Sequence, residues 1–457
     1  MVPARGWTKF SKQVAGGAEL RGRHVIVAGA GLAGLTAAYE LAKHGASVHV
    51  FEASERVGGR VWTFREPPIA PFHAELGGDL IESDHKALRA LCREFRLPLT
   101  RILLRGFGMV IRAGGRTRVL TRQTRLWKEF AKAFRPHTDA LKNAGREWHS
   151  PAAASIARQS VQQVLNKAKV SASIKAFAVA LRNLYVAEPD ELSALVAASE
   201  ALEGGDPTQI VAYRIAGGND RLVDALIEHG DYQIACGHVV RAIRQSDTAV
   251  AVTVDHLAGR RSIITGDAIV VAVPVPLLRE LVFEPALSDG QRLAFETLSV
   301  GPATKALMRF SSAWWRKPGL PRAFGTNLPI GAVWDAAEDQ RDAAILTLLA
   351  GANASAELRQ LLRTRSRVMR QLSWLNGGSR ERPLLHSVCW ERHRWTRGAY
   401  EFFSPAFDPA LQPLLGRGDG RVFFAGAHTS REFPGYMNGA AESGQRAASE
   451  VQLALRA

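Results

Sequence analysis

Three carboxylates, Glu75, Asp79 and Glu82, fall within the ten residues Ala74 to Ser83, around the glycine pair Gly77 and Gly78 and the apolar Leu76, Leu80 and Ile81. Acids this close to apolar residues either tie down backbone N–H groups or face a cavity where a carboxylate anchors a cation or accepts a proton. Lys305 opens the alternating apolar run "KALMRF". There a lysine either snorkels to water or, partly buried, becomes a base of adjustable pKa. Tyr400 and Tyr436 stand in aromatic-rich stretches, "CWERHRWTRGAYEFF" and "REFPGYMNG". Aromatic clusters usually fill a core, but their faces also attract amines and exclude water. No Ser-His-Asp or His-Glu arrangement stands out as a nucleophile or an acid–base pair.

These groups need elements to hold them. "HVIVAGAGLAGLTAAYELAKHGASVHVFEA" reads as a buried strand, a glycine turn, an amphipathic helix and a second strand ending at Glu52. Gly29 permits the tight turn, Gly31 lets backbone approach a pyrophosphate at the helix N-terminus near Ala33, and Gly34 allows the helix to pack on the strand. Glu52, followed by Ala53, is placed for ribose hydroxyls. This predicts an adenine dinucleotide and leaves NAD and FAD both open. Next, "EASERVGGRVWTF" puts Arg56 and Arg60 on either side of Gly58 and Gly59, which suits a second pyrophosphate-binding turn.

Near the other end, "RVFFAGAHTSREFPGYMNGAAESGQRAASEV" repeats the pattern of strand, loop and small-residue helix. Gly439 and Gly444 let that helix either approach a cofactor or pack tightly.

The segment from Glu52 to Phe64 resembles the extended FAD signature of the flavin-containing amine oxidase superfamily, and the C-terminal segment resembles its second flavin motif. The resemblance covers most of the chain and is diffuse between about residues 100 and 205. It implies an α/β, two-domain FAD-dependent fold: a Rossmann-like FAD domain from residues 20–100, 205–290 and 395–457, and a mixed-sheet and helical substrate domain from 101–204 and 291–394. Residues 1–19 are expected to form a loose tail. The implied cofactor set is Gly29, Gly31, Ala33, Gly34, Glu52, Ala53, Arg60, Gly77, Gly78, Asp79, Val240, Trp395, Gly426, Gly435, Tyr436, Met437 and Ala440.

Lys305 matches the family lysine that reaches flavin N5 through a water and assists the reaction with oxygen. Tyr400 and Tyr436 match the paired aromatics that sandwich a substrate amine. Glu82 matches an acid in the tunnel of plant polyamine oxidases, with pairing to Arg89 as the plain alternative. Glu75 is expected to tie the glycine turn.

The resemblance has departures too. Ala399 stands where some monoamine oxidases carry the cysteine bonded to flavin, so noncovalent FAD is expected. Ala427 stands where an acid often follows "FAG", implying weaker cofactor binding. Leu80 stands near where L-amino acid oxidases place a carboxylate-binding arginine, leaving Arg214 or Arg397 for that role. The expected reaction is hydride transfer from an amine to flavin, giving an imine, with O2 reduced to H2O2. The alternatives are an L-amino acid oxidase, a polyamine oxidase, a desaturase or protoporphyrinogen oxidase of the same superfamily, or a flavoprotein whose basic face binds a partner.

Composition sets the outer bounds. A chain of 457 residues, 46% hydrophobic and 22% charged, suits two domains and contains no apolar run of membrane-spanning length. The +16 formal charge is scattered, without a basic block interleaved with aromatics, so a solvated surface is expected rather than nucleic-acid or membrane binding. Cys92, Cys236 and Cys389 are odd in number and far apart. They fit reduced thiols in a cytoplasm, with no disulfide framework and no metal. The opening residues lack a secretory signal's apolar core. A small amine and O2 are the expected partners, and a homodimer is left open.

Overall fold

His24–Ala28, four of its five residues fully inaccessible, is the middle strand of a five-stranded parallel sheet. The order across that sheet is Gln233–Cys236, Ser47–Glu52, His24–Ala28, Ala268–Val271 and Val422–Phe424. Every pairing is parallel, with Ile26 opposite His49 on one side and Ile269 on the other. Strands covered on both faces read as continuous Val, Ile and Phe runs, as in His24–Ala28, Ala268–Val271 and Val422–Phe424, whereas Ser47–Glu52 alternates at its start and Gln233–Cys236 is an edge. In this computed structural model the described residues are 19–122, 124–203, 211–375, 377–378 and 380–456. All but Glu19 of the expected tail lies outside them.

Two helices pack side by side on one face of this sheet. Leu32–Lys43 follows the glycine turn and Met437–Arg456 is the last element of the chain. Gly444 makes their close approach feasible: a Cβ there would stand 2.4 Å from the Ala33 carbonyl oxygen and 2.8 Å from Thr36. Gly439 serves the loop before the same helix, since a Cβ would meet the Phe433 carbonyl oxygen at 2.1 Å. Of the two roles weighed for these glycines, the structure shows tight packing.

A second, seven-stranded sheet runs Leu384–Cys389, Ala303–Arg309, Ile345–Gly351, Ala332–Asp335, Ala323–Thr326, Phe107–Ala113 and Arg116–Leu120. Its pairings are antiparallel except Ala323–Thr326 with Phe107–Ala113, so it is mixed as expected. Asn353–Leu362 and Arg365–Gln371 are helices of the expected mixed-sheet and helical domain. The Ala- and Leu-rich stretch from Leu126 to Leu202 folds as helices, with "EWHSP" falling in the break between Arg135–Asn143 and Pro151–Ala157.

The opening stretch supplies short edge pieces. Ala74–Glu75 pairs with Thr63–Phe64, and Ile81–Glu82 pairs with Ala212–Ile215. Glycines 77 and 78 lie between them. Among the described residues, no helix is long and apolar enough to cross a membrane.

Candidate functional site

One cavity of about 1270 Å³ runs from the first glycine turn, between the two sheets, to Tyr436. It starts where the first strand ends. Gly29 has φ +104° and its N–H donates to the Phe51 carbonyl at 2.8 Å, which folds the turn back on the second strand. Gly31 bridges to Gly58, and the Gly59 Cα lies 4.0 Å from where a Gly31 Cβ would be, so the two glycine turns meet without side chains between them. The Glu52 carboxylate accepts from Ala30 N–H at 2.7 Å and Ser54 N–H at 2.9 Å. One lone pair on each of its oxygens is left for a ligand.

Gly34 does not reach the cavity. A Cβ on it would lie 2.0 Å from the Gly29 carbonyl oxygen, so its role is the packing of helix on strand and it leaves the cofactor set. Arg56 also departs from expectation. Its guanidinium donates to the carbonyls of Val57, Gly59 and Val61 and lies over the Trp62 ring, shaping its own turn. Arg60 instead bridges the chain ends, donating to the Ala399 carbonyl at 2.6 Å with Glu401 4.0 Å away. Glu401 in turn accepts from the Gly435 N–H at 2.5 Å.

Ala33, Ala53, Val240, Trp395, Gly426, Met437 and Ala440 all stand on the same wall, as does Ala427. At the middle of the cavity, Gly77 and Gly78 pass between fixed neighbours. A Cβ at Gly77 would strike the Arg60 carbonyl oxygen at 1.9 Å, and one at Gly78 the Met437 sulfur at 2.7 Å.

Asp79 differs from the reading that grouped it with cofactor contacts. Although it borders the cavity, its Oδ1 accepts from Arg214 Nε at 2.5 Å, and its Oδ2 accepts from Lys305 Nζ at 2.9 Å and Trp334 Nε1 at 3.0 Å. Burial pushes the Asp79 carboxyl up, but Arg214 and Lys305 outweigh this and hold it below its ordinary range. Lys305 is no surface lysine, being 3% exposed. Glu75 ties a different glycine turn from the adjacent one: it accepts from the Asn219 N–H at 2.9 Å, just after Gly217 and Gly218, and from the Thr63 hydroxyl. Burial, then Asp79, pushes its carboxyl up to about 7.

Arg214 is 3% exposed and also donates to the Ala336 carbonyl at 2.6 Å. It does not line the cavity and is held by Asp79, so it is not placed to meet a substrate carboxylate. Arg397 borders the cavity but pairs with Glu280.

At the far end stand the tyrosines. The Tyr400 hydroxyl donates to the Leu184 carbonyl at 2.7 Å. Tyr436 packs edge-on against His85 at 5.4 Å and Phe433 at 6.4 Å, and 47% of its surface is open where it borders the cavity. Among the described residues the two rings make no ring contact with each other. Although the Tyr436 ring is open to the cavity, crowding by neighbouring atoms and then Glu82 and Glu200 raise its hydroxyl pKa, and burial, then Glu401, raises that of Tyr400, so both stay neutral phenols.

Glu82 borders the same end. Its backbone N–H donates to His85 Nδ1 at 3.1 Å, while its carboxylate has no hydrogen bond or ion pair among the described residues. Burial, then Asp84, pushes it up to about 7. Arg89 does not pair with it and lies instead over the Tyr213 ring. The Glu82, Asp84 and His85 ligand atoms lie within 4.8 Å of one another. His85 Nδ1, however, is already taken as an acceptor.

Sequence reasoning missed Trp334 and Glu200. Trp334 sits in an all-buried strand and looks like core, and Glu200, which accepts from the Tyr185 hydroxyl, sits in a helix whose spacing signals nothing.

The glycine cradle, the Glu52 lone pairs and the long cavity fit a dinucleotide flavin. The comparisons agree. The family model described as flavin containing amine oxidoreductase matches residues 32–452, and the chain belongs to that family. It is a flavin-dependent oxidoreductase acting on amines. Flavin-containing amine oxidase A of Bos taurus is 26% identical, over 94% of this chain and 85% of its own. The L-amino-acid oxidase of Vipera ammodytes ammodytes is 27% identical, over 94% and 93%. Cyclohexylamine oxidase from Brevibacterium oxydans superposes with a TM-score of 0.83 at 23% identity, over 95% of this chain and 100% of that one. Putrescine oxidase bound to putrescine gives 0.81 at 24%, over 94% and 98%, a likeness of fold.

Proposed function

We propose that the protein is an amine oxidase that binds FAD noncovalently, converts an amine to the imine and reduces O2 to H2O2. The observation that carries this reading is the placement of Tyr400, Tyr436 and Lys305 on the wall of one cavity with the glycine turns and Glu52. Bound FAD supplies the hydride acceptor and returns the electrons to O2. Gly29, Gly31, Glu52, Ala53 and Val240 would hold its adenosine and pyrophosphate part, and Arg60, Gly426, Gly435, Met437, Ala440 and Trp395 its flavin end. No cysteine borders the cavity among the described residues, which supports noncovalent binding.

The chain's own groups set the reaction. Tyr400 and Tyr436 hold the amine between neutral aromatic faces, exclude water and fix which C–H is presented. An amine that enters neutral needs no general base. Lys305 places a buried cation where negative charge develops as O2 takes up electrons. Glu82, with its carboxylate left over, favours an amine that brings a second amino group, as a polyamine oxidase requires. Leu80 and the inward-turned Arg214 argue against an α-amino acid.

The test is anaerobic bleaching of the flavin by a panel of arylalkylamines, polyamines, amino acids and N-acyl amines. Bleaching by amines is expected, with peroxide formed on admitting air. A panel in which no amine bleaches the flavin would sink the reading.

A further inference from the structure

Lys305 Nζ carries three donors. One goes to Asp79 Oδ2 at 2.9 Å and one to the Gly77 carbonyl at 3.0 Å. The third has no hydrogen-bond acceptor among the described residues: Nζ lies 5.1 Å from the centroid of the Trp334 ring, and both side chains border the cavity. We propose that Asp79 is the positioning residue of Lys305, holding it as an ammonium with a single N–H directed into the cavity. This rests on the role given above to Lys305 in the oxygen reaction.

The clamp is itself held on every side. Oδ1 is taken by Arg214, Oδ2 is shared with Trp334 Nε1, and Asn219 Nδ2 donates to the carbonyls of Gly78 at 3.0 Å and Asp79 at 2.9 Å. The loop carrying Asp79 therefore cannot follow a moving lysine. The neighbours on the flanking strands, Leu349 and Val388, are not titratable. The charged groups that bear on Lys305 are thus Asp79, Glu75 and Arg214. Burial is the larger effect and lowers the Lys305 pKa overall, with Asp79 the leading influence in the opposite direction.

Asp79→Asn keeps the size but cannot serve both cations. The amide presents one acceptor and one donor group, so either Arg214 or Lys305 meets an N–H. With Arg214 unchanged beside it, Lys305 should then lose its proton more readily. Two readouts report this in the holoenzyme. The first is the pH titration of Lys305 followed by 15N NMR of Nζ-labelled lysine, with the signal assigned by its absence in Lys305→Met. The second is the pH dependence of flavin reoxidation by O2.

In Asp79→Asn both should move to lower pH by at least one unit, a roughly tenfold fall in the protonated fraction well above the parent's midpoint. In a Lys305→Met background, Asp79→Asn should slow reoxidation no further, because two residues acting as one unit are not additive. An unmoved titration, or equal slowing with and without the lysine, overturns the proposal. Wild-type reoxidation in Lys305→Met overturns the role of the lysine itself, an outcome the titration tells apart from failure of the clamp. Should Asp79→Asn not fold, Trp334→Phe leaves Oδ2 to Lys305 alone. It should shift the titration upward, a roughly two- to threefold change in protonated fraction, and no upward shift counts against the clamp.

Discussion

The Glu52 carboxylate closes on the Ala30 backbone N–H at 2.7 Å, so the acid at the end of the second strand fixes the turn at the end of the first. Its other oxygen fixes Ser54. The residue expected only to meet a ribose is therefore also a brace for the loop. Glu52→Ala should lose FAD on dialysis, with affinity down roughly tenfold or more from a lost charge-assisted contact. The ratio of flavin to protein absorbance after dialysis measures it. Retention equal to the parent would remove Glu52 from the cofactor site.

Denaturation by acid or heat should release all of the FAD into the supernatant, because Ala399 offers no thiol and its backbone is already taken, the N–H by Gly301 and the carbonyl by Arg60. Yellow colour in the precipitate would contradict this.

Truncating either tyrosine ring should weaken amine turnover. Tyr436→Ala should lower kcat/KM roughly tenfold, the order of one aromatic–amine contact. Tyr436→Phe, which keeps the face, should stay near the parent. Tyr400→Phe loses the bond to Leu184, so about 1 kcal/mol of stability is expected to go with little change in kcat/KM. Equal losses for Phe and Ala at position 436 would point to the hydroxyl rather than the ring.

Glu82 ties stability to pH. Its folded carboxyl sits near 7, above that of an unfolded glutamate, so the native chain holds this proton more tightly. Stability then falls as pH rises from the unfolded pKa through 7. Glu82→Gln removes the cost. It should be more stable than the parent at pH 8 by about 1–3 kcal/mol, the gap closing toward pH 5. Thermal melts at the two pH values decide it, and the same variant should raise KM for diamines more than for monoamines.

What was legible in the sequence was local. Gly29, Gly31 and Glu52 announce their site because strand, turn and helix are contiguous, and backbone geometry leaves few residue types for each place. Lys305, Tyr400 and Tyr436 became readable through resemblance, not through spacing. The Asp79 cluster was not readable at all: Lys305 and Arg214 lie 226 and 135 residues away in sequence, and nothing in a charge's neighbours says which distant ion it will meet. Arg56 misled for a related reason. An arginine beside a glycine turn serves phosphates or carbonyls equally well, and the difference lies in where the side chain folds back.

Gly444 is a further test of that packing. Gly444→Val would place branched carbon where the Ala33 carbonyl already stands 2.4 Å from the first atom. A loss of at least about 2 kcal/mol, seen as a lower melting temperature, is expected, together with poorer FAD retention.

That contact between Ala33 and Gly444 also bears on how the protein is made. The cofactor cradle opens with Gly29 and Gly31, yet its wall is completed by Met437 and Ala440, which leave the ribosome long after them. A nascent chain therefore exposes its glycine turns long before it can enclose a flavin, and loading waits for the arrival of the helix Met437–Arg456.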